Sequence, residues 1–269
     1  MKKLQIFSLG LVMLSIIHNK VLLGSELPDG KILVEQVNAL NEGEHVIRNL
    51  HMKMIDRRGK ERERDTISFR KFFGEDKKTI LFYKSPSNVK DTAFLTFDYK
   101  DESVDDDQWL YLPALRKVRR ISASDRGDYF LGTDCTYEDI KKEGKVAIED
   151  YTYKTVGREI LNDIDTYKVE ATTVDDETSK ELGHSKFLMW IDSEIKIVRK
   201  SIFFDLNGNK LKTVKTGDIR KVDDIWTRHK LNVQNHKTGH QTIFTFSEVD
   251  YISSVDDRLL NKQSLMRGQ

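Results

Sequence analysis

Apolar positions along this chain fall into three successive patterns: a continuous run, a helical period, and a long series of two-residue alternations. The run comes first. Leu4 to Ile17 is apolar except for Gln, Ser and Gly and follows the positive Met1-Lys2-Lys3. At roughly 14 residues it is shorter than the ~20 a membrane-spanning helix needs, and HNKVLLGSE leads from it into a Ser/Gly site. This pattern predicts a secretory signal peptide over residues 1–25, with the mature chain starting near Ser25 or Glu26. In GKILVEQVNALNEGEH, Ile32, Val37, Leu40 and their neighbours then fit a helix of about three turns, entered after Pro28-Asp29 and ended near Gly43.

From His45 onward the period is two. Ile67, Phe69 and Phe73 alternate with Ser68, Arg70 and Phe72, and ILFYK, AFLTFDY and QWLYLP follow as further strands. About six strands precede residue 145 and seven follow it, from VAIEDYTYKTVGRE to QTIFTFSEVDYI. Turn chemistry separates them at Arg58-Gly59-Lys60, Gly74-Glu75-Asp76, Ser85-Pro86-Ser87-Asn88 and Asp105-Asp106-Asp107. Asp205-Leu206-Asn207-Gly208-Asn209 reads as a hairpin with Asn207-Gly208 at its tip. In Lys186-Phe-Leu-Met-Trp-Ile-Asp192, Phe187, Met189 and Ile191 share one face and Leu188 and Trp190 the other, so this strand is expected to be covered on both sides. Many antiparallel strands, one early helix and no βαβ rhythm imply an α+β fold: a strongly curved antiparallel sheet forming an incomplete β-barrel, in one domain over 26–269.

Composition narrows the function classes. Removing residues 1–25 deletes Lys2, Lys3 and Lys20 and no acid, taking the formal net charge from +1 to −2. Such a balance argues against nucleic-acid partners. Cys135 is the single cysteine, so no intrachain disulfide forms and no leader cysteine is available for acylation. The chain carries no Gly-x-Ser-x-Gly, His-Glu-x-x-His or Walker A motif, and its acids are scattered through turns, so no catalytic residue is nominated and the protein is read as a non-enzyme. No cofactor or metal is expected either. His236 and His240 flank a turn, and the 205–209 loop lacks the terminal acid and flanking helices of a calcium-binding EF-hand.

The segment from Trp109 to Ile140 carries a resemblance. Its Trp-Leu-Tyr-Leu-Pro core, the Arg-Lys-Val-Arg-Arg that follows, and its Gly-Thr-Asp-x-x-Tyr-Glu-Asp end closely resemble the signature of the LolA-like outer-membrane lipoprotein-sorting family. Supporting similarity extends to the first helix, Lys84-Ser85-Pro86, the Lys186–Asp192 strand and DDRLLNKQSLMRG near the C-terminus. Cys135 stands where such proteins usually have an aromatic residue. The resemblance implies a periplasmic half-open barrel with an apolar concave face closed by helical or loop lid segments, binding the acyl chains of lipids or lipoproteins for transfer between membranes. It also implies an alternative, an accessory or sensor subunit of an inner-membrane transporter of the resistance-nodulation-division (RND) type. Either role entails transient membrane contact.

Within that frame the candidate cavity walls are Phe69, Phe82, Phe94, Phe97, Trp109, Tyr111, Phe187, Met189, Phe203 and Phe244. Alternation alone leaves open which side of each strand faces inward. The candidate lid runs from Leu115 to Phe130, with Leu115, Val118, Ile121, Tyr129, Phe130 and Leu131 as its apolar edge. Arg116, Lys117, Arg119, Arg120 and Arg126 are candidates for contact with anionic headgroups or a partner, or else form a solvated basic strand balanced by Asp125, Asp128 and Asp134.

Overall fold

The computed structural model describes residues 26–101 and 104–268; the expected signal peptide lies outside the described residues. Helix α1 (Gly30–Asn38) begins where the Asp29 carboxylate accepts the Ile32 N–H at 3.1 Å. Its buried face is Gly30, Leu33, Val34 and Val37, a 3–4 spacing, while Ile32 points to solvent. Gly30 is required by proximity: a Cβ there would lie 2.9 Å from the Lys154 backbone nitrogen.

Six strands follow: β1 (His45–Ile55), β2 (Glu61–Phe73), β3 (Asp76–Ser85), β4 (Ala93–Asp98), β5 (Asp107–Leu112) and β6 (Lys117–Ile121). Helix α2 (Tyr137–Lys142) opens with a capping box between Thr136 and Asp139. The second half comprises β7 (Tyr151–Leu161), β8 (Ile164–Thr173), α3 (Asp176–Leu182), β9 (Lys186–Asp192), β10 (Val198–Phe204), β11 (Lys210–Val222), β12 (Ile225–Asn235), β13 (Gln241–Asp250) and α4 (Lys262–Arg267). The expected hairpin joins β10 to β11: Asp205 accepts the N–H groups of Asn207 and Asn209, and Gly208 takes φ 81°.

All thirteen strands form one antiparallel sheet in the order β6-β5-β4-β3-β2-β1-β13-β12-β11-β10-β9-β8-β7. The two halves of the chain are joined where β1 pairs with β13. β6 and β7, consecutive in sequence, lie at opposite edges and do not pair, so the sheet stays open. The connection between them, residues 122–150, must therefore travel from one edge of the sheet to the other. This is the incomplete barrel the sequence led us to expect.

Three apolar clusters follow the alternation of side chains. On the inner face of β1, β3, β4, β5, β12 and β13, Leu50, Leu81, Phe94, Leu110, Val233 and Phe244 pack with Phe130, Cys135 and Tyr137 of the connection. On the opposite face of β2–β5, Phe69, Ile80, Phe82, Leu95 and Trp109 pack beneath Val255, Leu260 and Leu265 of the C-terminal segment. The third cluster joins α1 to Val169, Phe187, Met189 and Ile191 of β8 and β9. On the other side of β9, Trp190 is covered by polar side chains: its indole N–H donates to Glu159 at 2.7 Å, and Lys200 lies 4.3 Å from its ring.

Candidate functional site

A cavity of about 270 Å³ lies between the inner face of the sheet and the connection. Its apolar wall includes Leu50, Leu81, Phe94, Leu231, Phe244 and Phe246. A second apolar stretch is Val37, Leu40, Met189, Ile197, Val198 and Phe203, against whose cluster Val146 of the connection packs, while Ile140 packs on the first wall. Strand parity explains the wall: Leu81 and Phe94 are cross-strand partners whose neighbours Ile80, Phe82, Ala93 and Leu95 all belong to the opposite face.

One end of the cavity is charged. Arg48, Arg70, Arg228 and Lys145 surround Glu42 and Glu143. Arg48 pairs with Glu143, Arg70 reaches Glu42 at 3.3 Å, and Lys145 reaches Glu42 at 2.7 Å. Burial opposes ionisation of Glu42, yet Lys77, Arg70 and Lys145 hold its carboxyl below the usual range. The same balance, with burial opposing and Arg48 and Arg70 prevailing, keeps Glu143 low. Gly144 lies against this cluster at φ 92°, where a Cβ would sit 1.7 Å from an Arg228 nitrogen.

Charged groups also fasten the connection to the sheet. Lys212 of β11, buried, pairs with Asp139 of α2. Lys142 reaches Asp98 of β4 at 2.7 Å, and Lys141 pairs with Asp106. The Thr242 hydroxyl donates to Asp134 at 2.7 Å, and Arg64 donates to the Leu131 carbonyl at 2.6 Å. Asn38 of α1 clasps the Val146 backbone through both its amide N–H and its carbonyl. Phe130 is fully buried, 5.0 Å from Phe94 and 5.5 Å from Tyr137 between ring centroids.

The aromatic residues singled out from the sequence divide by face. Phe94, Met189, Phe203 and Phe244 line the cavity. Phe187 shares their face but stacks on Phe203 at 4.8 Å and meets Tyr151 at 5.1 Å, without lining the cavity. Phe69, Phe82, Phe97, Trp109 and Tyr111 lie one register step away on the opposite face, within the cluster that the C-terminal segment covers. A two-residue period cannot distinguish faces when both are buried, which is the case here.

The segment expected as a lid also divides. Leu115 closes an exposed 3-10 turn, Val118 and Ile121 belong to the edge strand β6, and Tyr129, Phe130 and Leu131 lie in the connection. The covering extends further than expected, through α2 to residue 147. Arg116, Lys117, Arg119 and Arg120 are exposed on and beside β6, with Arg119 reaching Asp125 at 3.0 Å and Arg120 reaching Asp107 at 2.8 Å. Arg126 differs from them: half-buried, it bridges Asp150 and Glu181 at 3.0 Å each. Sequence reasoning passed over Arg48, Arg70, Glu42, Glu143 and Arg228. Their signal was an arginine on the inward parity of β1 and β2, beside Leu50 and Ser68.

The same architecture recurs in known proteins. A family model described only as that of an uncharacterized protein matches residues 75–267. A solved DUF1329 family protein from Desulfovibrio piger is 26% identical, with a TM-score of 0.81, covering 88% of this chain and 97% of that one. A solved domain named for outer-membrane lipoprotein sorting, from Vibrio parahaemolyticus, is 27% identical with a TM-score of 0.79, covering 88% of this chain and 98% of that one. The chain belongs to the family of that model, and its sequence and fold resemble those of LolA-like lipoprotein-sorting proteins. A LolA superfamily protein from Nitrosomonas europaea, 17% identical, shares the fold at a TM-score of 0.67 over 88% of this chain and 100% of its own. No curated protein matches the sequence. In this LolA-like chain, no described helix is long and apolar enough to cross a membrane.

Proposed function

We propose that this LolA-like protein is a periplasmic carrier, exported by cleavage after residues 1–25, that shields an acyl chain of a lipid or lipoprotein during transfer between membranes. The observation that carries this reading is the apolar inner face of an open sheet, covered by the one segment that links its two edges. Each methylene moved from water into such a wall stabilises the complex by ~0.8 kcal/mol, so a cavity lined by Leu, Phe and Met side chains holds a chain without any specific polar contact. The volume of about 270 Å³ lies at the lower end of small-molecule sites and suits a single chain with the connection closed. Larger cargo requires the connection to lift.

Native mass spectrometry of the protein purified from periplasm, followed by organic extraction, tests the proposal. A stoichiometric lipid or acylated peptide is expected. An empty protein that also takes up no acyl chain from vesicles overturns it. A second reading, the accessory subunit of an RND-type transporter, draws on the exposed cationic strand β6 at one sheet edge, a place for a partner to dock. Recovery with a membrane transporter but without extractable lipid favours that role.

A further inference from the structure

The carrier reading calls for an apolar wall, but part of this wall is polar in a way packing does not explain. Arg70, Thr79, Thr96 and Gln108 are successive cross-strand partners on β2, β3, β4 and β5, forming one row across the inner face. Each of the four carries a buried polar atom without a hydrogen-bond partner among the described residues: Arg70 Nε, the two threonine hydroxyls and Gln108 Oε1. Arg70, Thr79 and Thr96 line the cavity. An orphaned buried polar group costs ~1–3 kcal/mol, and four in one row is an unusual concentration.

The row ends at the charged cluster, where Arg48, Arg70, Arg228 and Lys145 outnumber Glu42 and Glu143. Arg228 spends a donor on the Glu143 carbonyl, and Arg70, whose other terminal nitrogen lies 3.3 Å from Glu42 and 3.8 Å from Glu143, spends one on the Glu42 carbonyl and leaves its Nε unpartnered. Burial holds Arg228 below its ordinary value, with Glu42 and Glu143 opposing and Arg48 adding to the fall. Two residues along each strand, on the same face, the next row is Ser68, Leu81 and Phe94, where the apolar wall begins.

We infer that the cavity takes an amphiphile with an anionic headgroup, carboxylate or phosphate, seated on Arg70, Thr79 and Thr96 beside Arg48 and Arg228, with its chain running along Leu81, Phe94, Leu50 and Phe244. The inference rests on the carrier reading and adds the class of headgroup. The hydroxyls and Arg70 Nε donate to the headgroup oxygens, and the excess of guanidinium supplies the charge.

Calorimetric titration of the mature protein at pH 7.5 with amphiphiles of one chain length tests it: dodecanoate, dodecyl phosphate, dodecanol and dodecyltrimethylammonium. The two anions are expected to bind at least about tenfold more tightly than dodecanol, and the ammonium most weakly. The double variant Thr79→Val/Thr96→Val removes two unpartnered hydroxyls, so its fold is expected to be as stable as wild type. It is expected to lose most of the preference for anions while keeping its affinity for dodecanol. Arg70→Gln is expected to weaken anion binding further. Equal binding of dodecanol and the anions, or an anion preference unchanged in the double variant, overturns the headgroup inference and leaves the carrier reading standing. Failure of all four to bind overturns the carrier reading itself. Inorganic phosphate binding as tightly as dodecyl phosphate also overturns the inference, because the site would then serve a free anion.

Discussion

Lys212 and Asp139 show how much of this molecule rests on single buried charges. The ammonium, fully buried on β11, is offset by the one carboxylate that α2 presents to it, and Lys212 keeps that carboxyl below its usual range against the opposing effect of burial. Lys212→Met is expected to cost about 3–5 kcal/mol in urea denaturation, because it strands Asp139 in a site that has lost its counter-charge. His184 illustrates the opposite case. It sits between the Tyr151 hydroxyl at 2.9 Å from Nε2 and the Leu182 carbonyl at 3.1 Å from Nδ1, an arrangement that suits the neutral ring. Burial, with Lys212 nearby, lowers it from 6.5 to about 4. The unfolded chain therefore binds more protons than the folded one between those values, so stability is full above pH 6.5 and falls as pH drops toward 4. His184→Gln is expected to flatten the midpoint of thermal unfolding across that window. Asp98, held at about 2 by Lys77 and Lys142 against burial, produces its own loss only below its ordinary 3.8.

At the scale of elements, the connection over residues 122–150 is the part that the proposed carrier role requires to lift. Its apolar anchors are Phe130, Cys135 and Tyr137, with Leu131, Ile140, Val146 and Ile148 packed beside the clusters, and polar ties to the sheet, α1 and α3 accompany them. Arg126, bridging Asp150 and Glu181, ties its first turn to its last residues and to α3. Arg126→Gln is expected to raise amide hydrogen exchange over 123–145 while leaving the central strands β1 and β13 protected. Equal acceleration throughout the sheet would mean that the residue supports the whole fold and not the cover. Helix α2 starts at a capping box between Thr136 and Asp139, which the strand pattern on either side of it overshadowed in the sequence. Its role as cover was not readable, because that depends on where β6 and β7 end up.

For the whole molecule, the open sheet leaves two edges, and β6 exposes a row of cations along one of them. Arg119 and Arg120 are mostly solvated, so their ion pairs with Asp125 and Asp107 contribute little to stability. Their replacement is therefore expected to leave unfolding nearly unchanged. Arg119→Ser/Arg120→Ser is expected to weaken capture of acyl chains from anionic vesicles at low salt and to have little effect at high salt. Unchanged capture at low salt would remove headgroup contact as a role for this edge.

The sequence by itself determined most of the elements: a first helix entered after Asp29, six strands before residue 145 and seven after, and turns such as those at Gly59, Gly74 and Gly208, where glycine takes left-handed backbone. These are local, set by side-chain period and turn chemistry over a few residues. It also carried the family resemblance, in the Trp109–Ile140 segment. Only the tertiary structure decided which face of β2–β5 is the inside, because both faces are buried there and alternation has no sign. That choice sends Trp109 and Phe82 to the outer cluster and Phe94 to the cavity. It also places Arg70, Thr79, Thr96 and Gln108 in one row, a relation across four strands that no spacing along the chain records.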